Sequence, residues 1–165
     1  MKRILIAAVA LLACVGMANA GGYRGAVDLG IGAARHGESH FEVSTTHGYV
    51  VNPYLFVGGG IGLHYYWDVE SLAMPIYFDV EGRYNLGVVT SFLDIRLGGS
   101  PDIDGIGGIY FSPVAGVKWK RFTAGLGYTL QKMKNPYRPA DPYSLDGFTI
   151  RLGVEFYTQL TKTLK

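Results

Sequence analysis

From Tyr23 onward the chain alternates apolar and polar residues with a period of two, and it does so in eight separate runs. Successive side chains of a β-strand point to opposite faces, so each run reads as a strand with one apolar and one polar face. The runs are Tyr23–Ile31, His40–Val51, Tyr54–Trp67, about Met74–Tyr84, Ser91–Leu97, Ile109–Trp119, Phe122–Gln131 and Gly147–Phe156. In the last of them Phe148, Ile150, Leu152, Val154 and Phe156 oppose Thr149, Arg151, Gly153 and Glu155. No stretch after Gly21 carries a sustained helical period. Pro75 and Pro113 cannot donate to a ladder, so each marks a strand start, a bulge or a local break.

The connections alternate as well. Asn52-Pro53, Asn85-Leu86-Gly87 and Lys120-Arg121 have the chemistry of tight turns, whereas Ala33–Ser39, Asp68–Ala73, Gly98–Gly107 and Lys132–Leu145 are longer and more polar. Short turns at one end and long loops at the other describe an all-β fold, an eight-stranded antiparallel up-and-down transmembrane β-barrel. Residues 21–165 are expected to form that single barrel domain.

Alternation leaves open which face is outside. A soluble lipocalin-like carrier of the periplasm would turn its apolar face inward, and a membrane barrel turns it outward. Composition favours the second. Glycine makes up 24 of 165 residues and gathers on the polar face, where small side chains fit a narrow lumen. Aromatic residues cluster on the apolar face near strand ends: Tyr84, Trp119, Phe122 and Phe156 by the short turns, and Tyr65, Trp67 and Tyr128 toward the long loops. Those are the positions of interfacial girdles. The polar face also carries Arg24, Arg83, Arg96, Lys118 and Arg151 against Asp28, Glu42, Asp79, Glu81, Asp94 and Glu155. Isolated ions inside a barrel are costly, so these are expected to interlock as a salt-bridge network that plugs the lumen and leaves no pore.

The first residues read as an export address. Met1-Lys2-Arg3 is basic, Ile4 to Val15 is apolar, and Ala18-Asn19-Ala20 is a small-x-small cleavage pattern. A secretory signal peptide cut after Ala20 is expected; the alternative is lipidation at Cys14 in Leu11-Leu12-Ala13-Cys14. The formal charge of +2 belongs to Lys2 and Arg3. Without them basic and acidic residues balance, which argues against a nucleic-acid partner.

Several stretches carry a resemblance. Thr45-Thr46-His47-Gly48-Tyr49, Asn52-Pro53-Tyr54-Leu55-Phe56-Val57-Gly58-Gly59-Gly60, Met74-Pro75-Ile76-Tyr77-Phe78-Asp79 and Asp94-Ile95-Arg96 resemble the small outer-membrane β-barrel family, of OmpA-type or OmpX-type architecture. Arg151-Leu152-Gly153-Val154-Glu155-Phe156 is similar to that family's C-terminal assembly signal, although Tyr157 to Lys165 follow it here. The resemblance implies location in the cell outer membrane, insertion by the outer-membrane assembly machinery, and contact with membrane lipid and lipopolysaccharide.

Chemistry is sparse. Gly58-Gly59-Gly60-Ile61-Gly62 lacks the helix that a phosphate loop needs. Asp102-Ile103-Asp104-Gly105 lacks the remaining ligands of a calcium loop. The sharpest group is His40, Glu42 and His64, which face the lumen near the long-loop rim if the second and third strands pair around Asn52-Pro53. With Ser44 one step deeper, they could serve an acyl hydrolase or transferase acting on lipid. Two histidines and a carboxylate could also hold a metal. The expected state is a lumen histidine hydrogen-bonded to Glu42, with no cofactor, no metal and no catalysis. His47 is expected on the lipid-facing side near the short-turn rim. The basic, aromatic loop Lys132-Met133-Lys134-Asn135-Pro136-Tyr137-Arg138-Pro139 is the candidate contact for lipopolysaccharide phosphate or an extracellular protein partner.

Overall fold

The computed structural model describes residues 22–34, 39–68, 70–101, 108–135 and 138–158. The expected signal segment with Cys14, the middle of the Ala33–Ser39 connection, and the Asp102 to Gly105 turn lie outside these residues. The strands are β1 (Tyr23–Ala34), β2 (Ser39–Asn52), β3 (Leu55–Tyr66), β4 (Ser71–Ala73), β5 (Ile76–Asn85), β6 (Thr90–Ser100), β7 (Gly108–Trp119), β8 (Phe122–Asn135) and β9 (Arg138–Thr158). Every ladder is antiparallel, and β1 pairs with β9 to close the cylinder. β4 and β5 are one stave. Both pair with β3 in a single register, His64 opposite Ala73 and Ile61 opposite Ile76, with the break at Met74-Pro75. The barrel therefore has eight staves.

Following paired residues around the wall measures the stagger. Tyr23 lies opposite Tyr49, then Val57, Val80, Ile95 and Pro113. The unbroken β7–β8 register leads on to Tyr128, then Phe148, and back to Ala33. The path returns ten residues along β1 from Tyr23 to Ala33. With a rise of about 3.3 Å per residue and strands about 4.8 Å apart, that stagger tilts the strands by about 40°.

One bulge sets the phase of the β2–β3 hairpin. Asn52 lies opposite Leu55, a pairing that if continued would set apolar residues of β2 against polar residues of β3. The register shifts between Val50 and Asn52, and from there Val43 meets Leu63 and Glu42 meets His64. A one-residue slip inverts every side chain, so the extra residue restores a common lumen face. Asn52 and Asn85 accept backbone N–H bonds from Tyr54 and Gly87, each residue two further on, at 2.8 and 2.7 Å. These are the Asx turns that the short connections call for.

The faces divide as the alternation predicts. Val27, Leu29, Ile31, Leu93, Leu126, Phe148, Ile150 and Leu152 are exposed on the outer wall. Arg24, Asp28, Glu42, Asp79, Asp94, Arg96 and Arg151 are buried inside it. The interior is thus not the apolar cup of a lipocalin. Tyr65, Trp67, Tyr84, Trp119, Phe122 and Phe156 stand exposed at the two ends of the apolar band. Tyr128 instead lies half-buried, edge-on to Phe148, with its hydroxyl donating to Asp146.

Two connections differ from expectation. Lys132–Leu145 is not an open loop. β8 and β9 remain paired through Lys132–Ser144 and Met133–Tyr143, so the last hairpin extends beyond the other staves. Asp68–Ala73 likewise ends in β4, because Ser71 and Leu72 still find ladder partners on Tyr66 and Tyr65.

Candidate functional site

The barrel interior places every charged residue of the polar phase in one of two groups. Toward the short turns, Arg24 meets Glu81 at 2.7 Å and Glu155 at 2.5 Å. Arg83 donates to Glu81 at 2.5 Å, and Lys118 donates to Tyr157 and pairs with Glu155. The Arg24 guanidinium lies 4.2 Å above the Phe56 ring.

Deeper in, Arg96 lies 2.6 Å from Asp28, 3.0 Å from Asp94 and 3.9 Å from Asp79. It also donates to Ser44 Oγ at 2.9 Å and stacks on Tyr77. Arg151 pairs with Glu42 at 2.8 Å and Asp94 at 3.4 Å, and donates to Ser112 Oγ at 3.0 Å. This second group sets two guanidiniums against four carboxylates. A void of only about 10 Å³ remains among Arg24, Asp28, Glu81, Asp94, Arg96 and Arg151, about the least that holds a single water. Larger hollows lie on the outer wall, one of about 460 Å³ lined by Val27, Leu29, Trp119 and Leu152 and one of about 610 Å³ lined by Leu93, Leu126, Phe148 and Ile150.

His40, Glu42 and His64 come together above Arg151, as the hairpin register requires. The two imidazole rings stack with centroids 5.7 Å apart and planes 10° apart. Both histidines pair with Glu42, at separations longer than a direct hydrogen bond. His64 Nε2 and His40 Nε2 lie 3.6 and 3.9 Å from Glu42 Oε2, beyond hydrogen-bond range. Glu42 Oε1 instead accepts from Arg151 and, at 3.3 Å, from Thr149. Both nitrogens of each ring and Glu42 Oε2 have no hydrogen-bond partner, although all three residues are buried. A buried polar atom left unpaired costs on the order of 1–3 kcal/mol. Tyr66, Ala73 and Leu145 form a buried apolar cluster at this end.

Ser44 is held by Arg96, and the histidine nitrogens accept and donate no hydrogen bond. His47 is exposed on the outer wall as predicted, bonded to Thr45 Oγ1 at 2.8 Å and to the Tyr23 hydroxyl.

Residue order alone does not reveal the interior aromatics. Phe56, Tyr66 and Tyr77 are as buried as the charges, and their only signal is their place on the polar phase of an alternating run. Glycine makes room for Phe56 and Tyr77. A Cβ built on Gly60 would lie 2.3 Å from the Thr45 carbonyl oxygen and 2.6 Å from the Tyr77 hydroxyl. Tyr77 bonds Thr46 Oγ1 at 2.9 Å from that position. Gly60→Ala is expected to cost about 1–3 kcal/mol through overpacking against fixed backbone. The denaturant midpoint of the folded protein measures this, and an unchanged midpoint contradicts the tight fit.

No protein-family model matches the chain. No curated protein matches it either. Among solved structures, it is similar to a barrel described as "De novo design of transmembrane beta-barrels", at 15% identity and a TM-score of 0.49, covering 81% of this chain and 95% of that one. It is also similar to the de novo designed TMB2.3 solved in solution by NMR, at 15% identity and a TM-score of 0.45, covering 85% and 96%.

Proposed function

We propose that this chain is an integral outer-membrane protein whose barrel is plugged and non-conducting, with a structural or surface-interaction role. The observation that carries this is the inversion of polarity: a predominantly apolar outer wall around a charged, buried interior. On β9 the outer band runs from Phe148 to Phe156. Eight steps of about 3.3 Å, tilted by about 40°, give roughly 20 Å between those ring positions, close to the ~25 Å apolar band of membrane barrels. Apolar hollows on the outer wall suit acyl chains. Contacts to lipopolysaccharide or an external partner fall to the long-loop end, where the extended β8–β9 hairpin projects and Lys132 is exposed. Export by a signal peptide ending at Ala20, and recognition of the Arg151 to Phe156 segment by the assembly machinery, complete the proposal.

Fractionation with carbonate washing and planar-bilayer recording test it. The chain is expected to stay in the membrane pellet, to migrate differently on gels before and after heating, and to show no steady conductance. Release by carbonate overturns the membrane assignment, and a large steady conductance overturns the plug. The lipid A of cells with and without the chain is expected to be identical; a change that depends on His64 would restore the acyl-enzyme alternative.

A further inference from the structure

The geometry points to a structural metal site: His40, Glu42 and His64 bind one divalent first-row transition-metal ion that staples β2 to β3 at the long-loop end of the barrel. Three independent observations converge there. The first is donor placement. One ligand atom from each residue lies within 4.8 Å of the other two. Tetrahedral coordination at about 2.0–2.1 Å sets donors about 3.3 Å apart. The 3.6 and 3.9 Å separations from Glu42 Oε2 exceed that by a few tenths of an ångström, and the widest separation in the group, up to 4.8 Å, closes by about 1.5 Å through rotation about side-chain bonds.

The second is the lack of any other partner. The ring nitrogens of both histidines and Glu42 Oε2 are buried without hydrogen bonds, and the five atoms belong to the same three residues that converge. Glu42 is held from its other oxygen by Arg151, leaving Oε2 turned to the histidines. Room for the group is made by neighbouring glycines. A Cβ on Gly32 would lie 2.0 Å from His40 Cε1, and one on Gly30 would lie 2.3 Å from Glu42 Oε1.

The third is charge. The connected interior group that contains Glu42 holds four carboxylates and two guanidiniums among the described residues. Across the described interior as a whole, six carboxyl groups face five basic side chains, so an added cation meets no surplus of positive charge. Two imidazoles and one carboxylate suit zinc, copper or nickel far better than calcium or magnesium, which take oxygen ligands. Burial of all three ligand residues beside the apolar cluster of Tyr66, Ala73 and Leu145 makes this a site that stabilises the barrel wall and not one that meets substrate.

Zinc is the probe. The tag-free full chain is folded in detergent micelles with excess zinc and desalted. Its metal content is compared with that of a His40→Gln, His64→Gln double variant, with heat-modifiable gel mobility showing that both are folded. The wild type is expected to retain one zinc ion per chain, and the variant to bind about 100-fold more weakly or worse. Cobalt loading is expected to give tetrahedral visible bands in the wild type alone. Equal zinc retention by both overturns the site, because the signal then comes from elsewhere, such as exposed His47. If the double variant does not fold, the wild type is melted with zinc and with chelator; an unchanged melting temperature overturns the site.

Discussion

Arg96→Met is expected to destabilise the folded barrel by about 3–5 kcal/mol, the scale for stranding buried charges. Arg96 is the hub of the deeper ion group. It holds Asp28 at 2.6 Å and Asp94 at 3.0 Å, faces Asp79, and donates to Ser44. Methionine fills the stem's volume but leaves Arg151 alone among four carboxylates. Chemical denaturation of the protein in lipid vesicles, with chelator present, measures the loss as a lower midpoint at unchanged slope. Adding Asp28→Asn to Arg96→Met is expected to recover part of it, since one stranded charge is then removed. A cost below about 1 kcal/mol for the single substitution would mean that water reaches the interior and screens it, as at a protein surface.

The second large effect is expected on the opposite face. Leu152 is 59% exposed on the outer wall, paired with Leu29 and Ala124 and midway between Phe148 and Phe156. Leu152→Arg is expected to cost about 2–4 kcal/mol in a bilayer, because the charge must sit at the depth of the hydrocarbon midplane. Tyr84→Arg, at the short-turn rim, is expected to cost no more than about 1 kcal/mol. The comparison reads depth directly. If both substitutions are equally mild in vesicles, the outer wall faces water and the membrane assignment fails.

What residue order makes legible follows from how far apart the interacting residues are. Strand phase needs only the two-residue period, so the inward set from Arg24 to Glu155 and the outward set from Val27 to Phe156 fall on the expected sides. The His40–Glu42–His64 group is legible too, since a tight turn at Asn52-Pro53 brings β2 and β3 together within one hairpin. The Lys132–Leu145 segment is misjudged for the converse reason. Its polar, proline-bearing residues look like a loop, yet β8 and β9 support each other's ladder well beyond the rim of the other staves.

The identity of the ion partners is another matter. Arg24 and Asp28 share a face of one strand, yet Arg24 pairs with Glu81 and Glu155 while Asp28 pairs with Arg96. Local alternation says that both point inward. Only the closed barrel, with its ten-residue stagger, decides which levels of distant strands meet across the lumen. The same holds for Phe56 and Tyr77, whose bulk lies inside because glycines such as Gly48 and Gly60 leave the space. Polarity assigns each side chain to a face; closure and packing assign it a partner, because those depend on geometry around the whole wall.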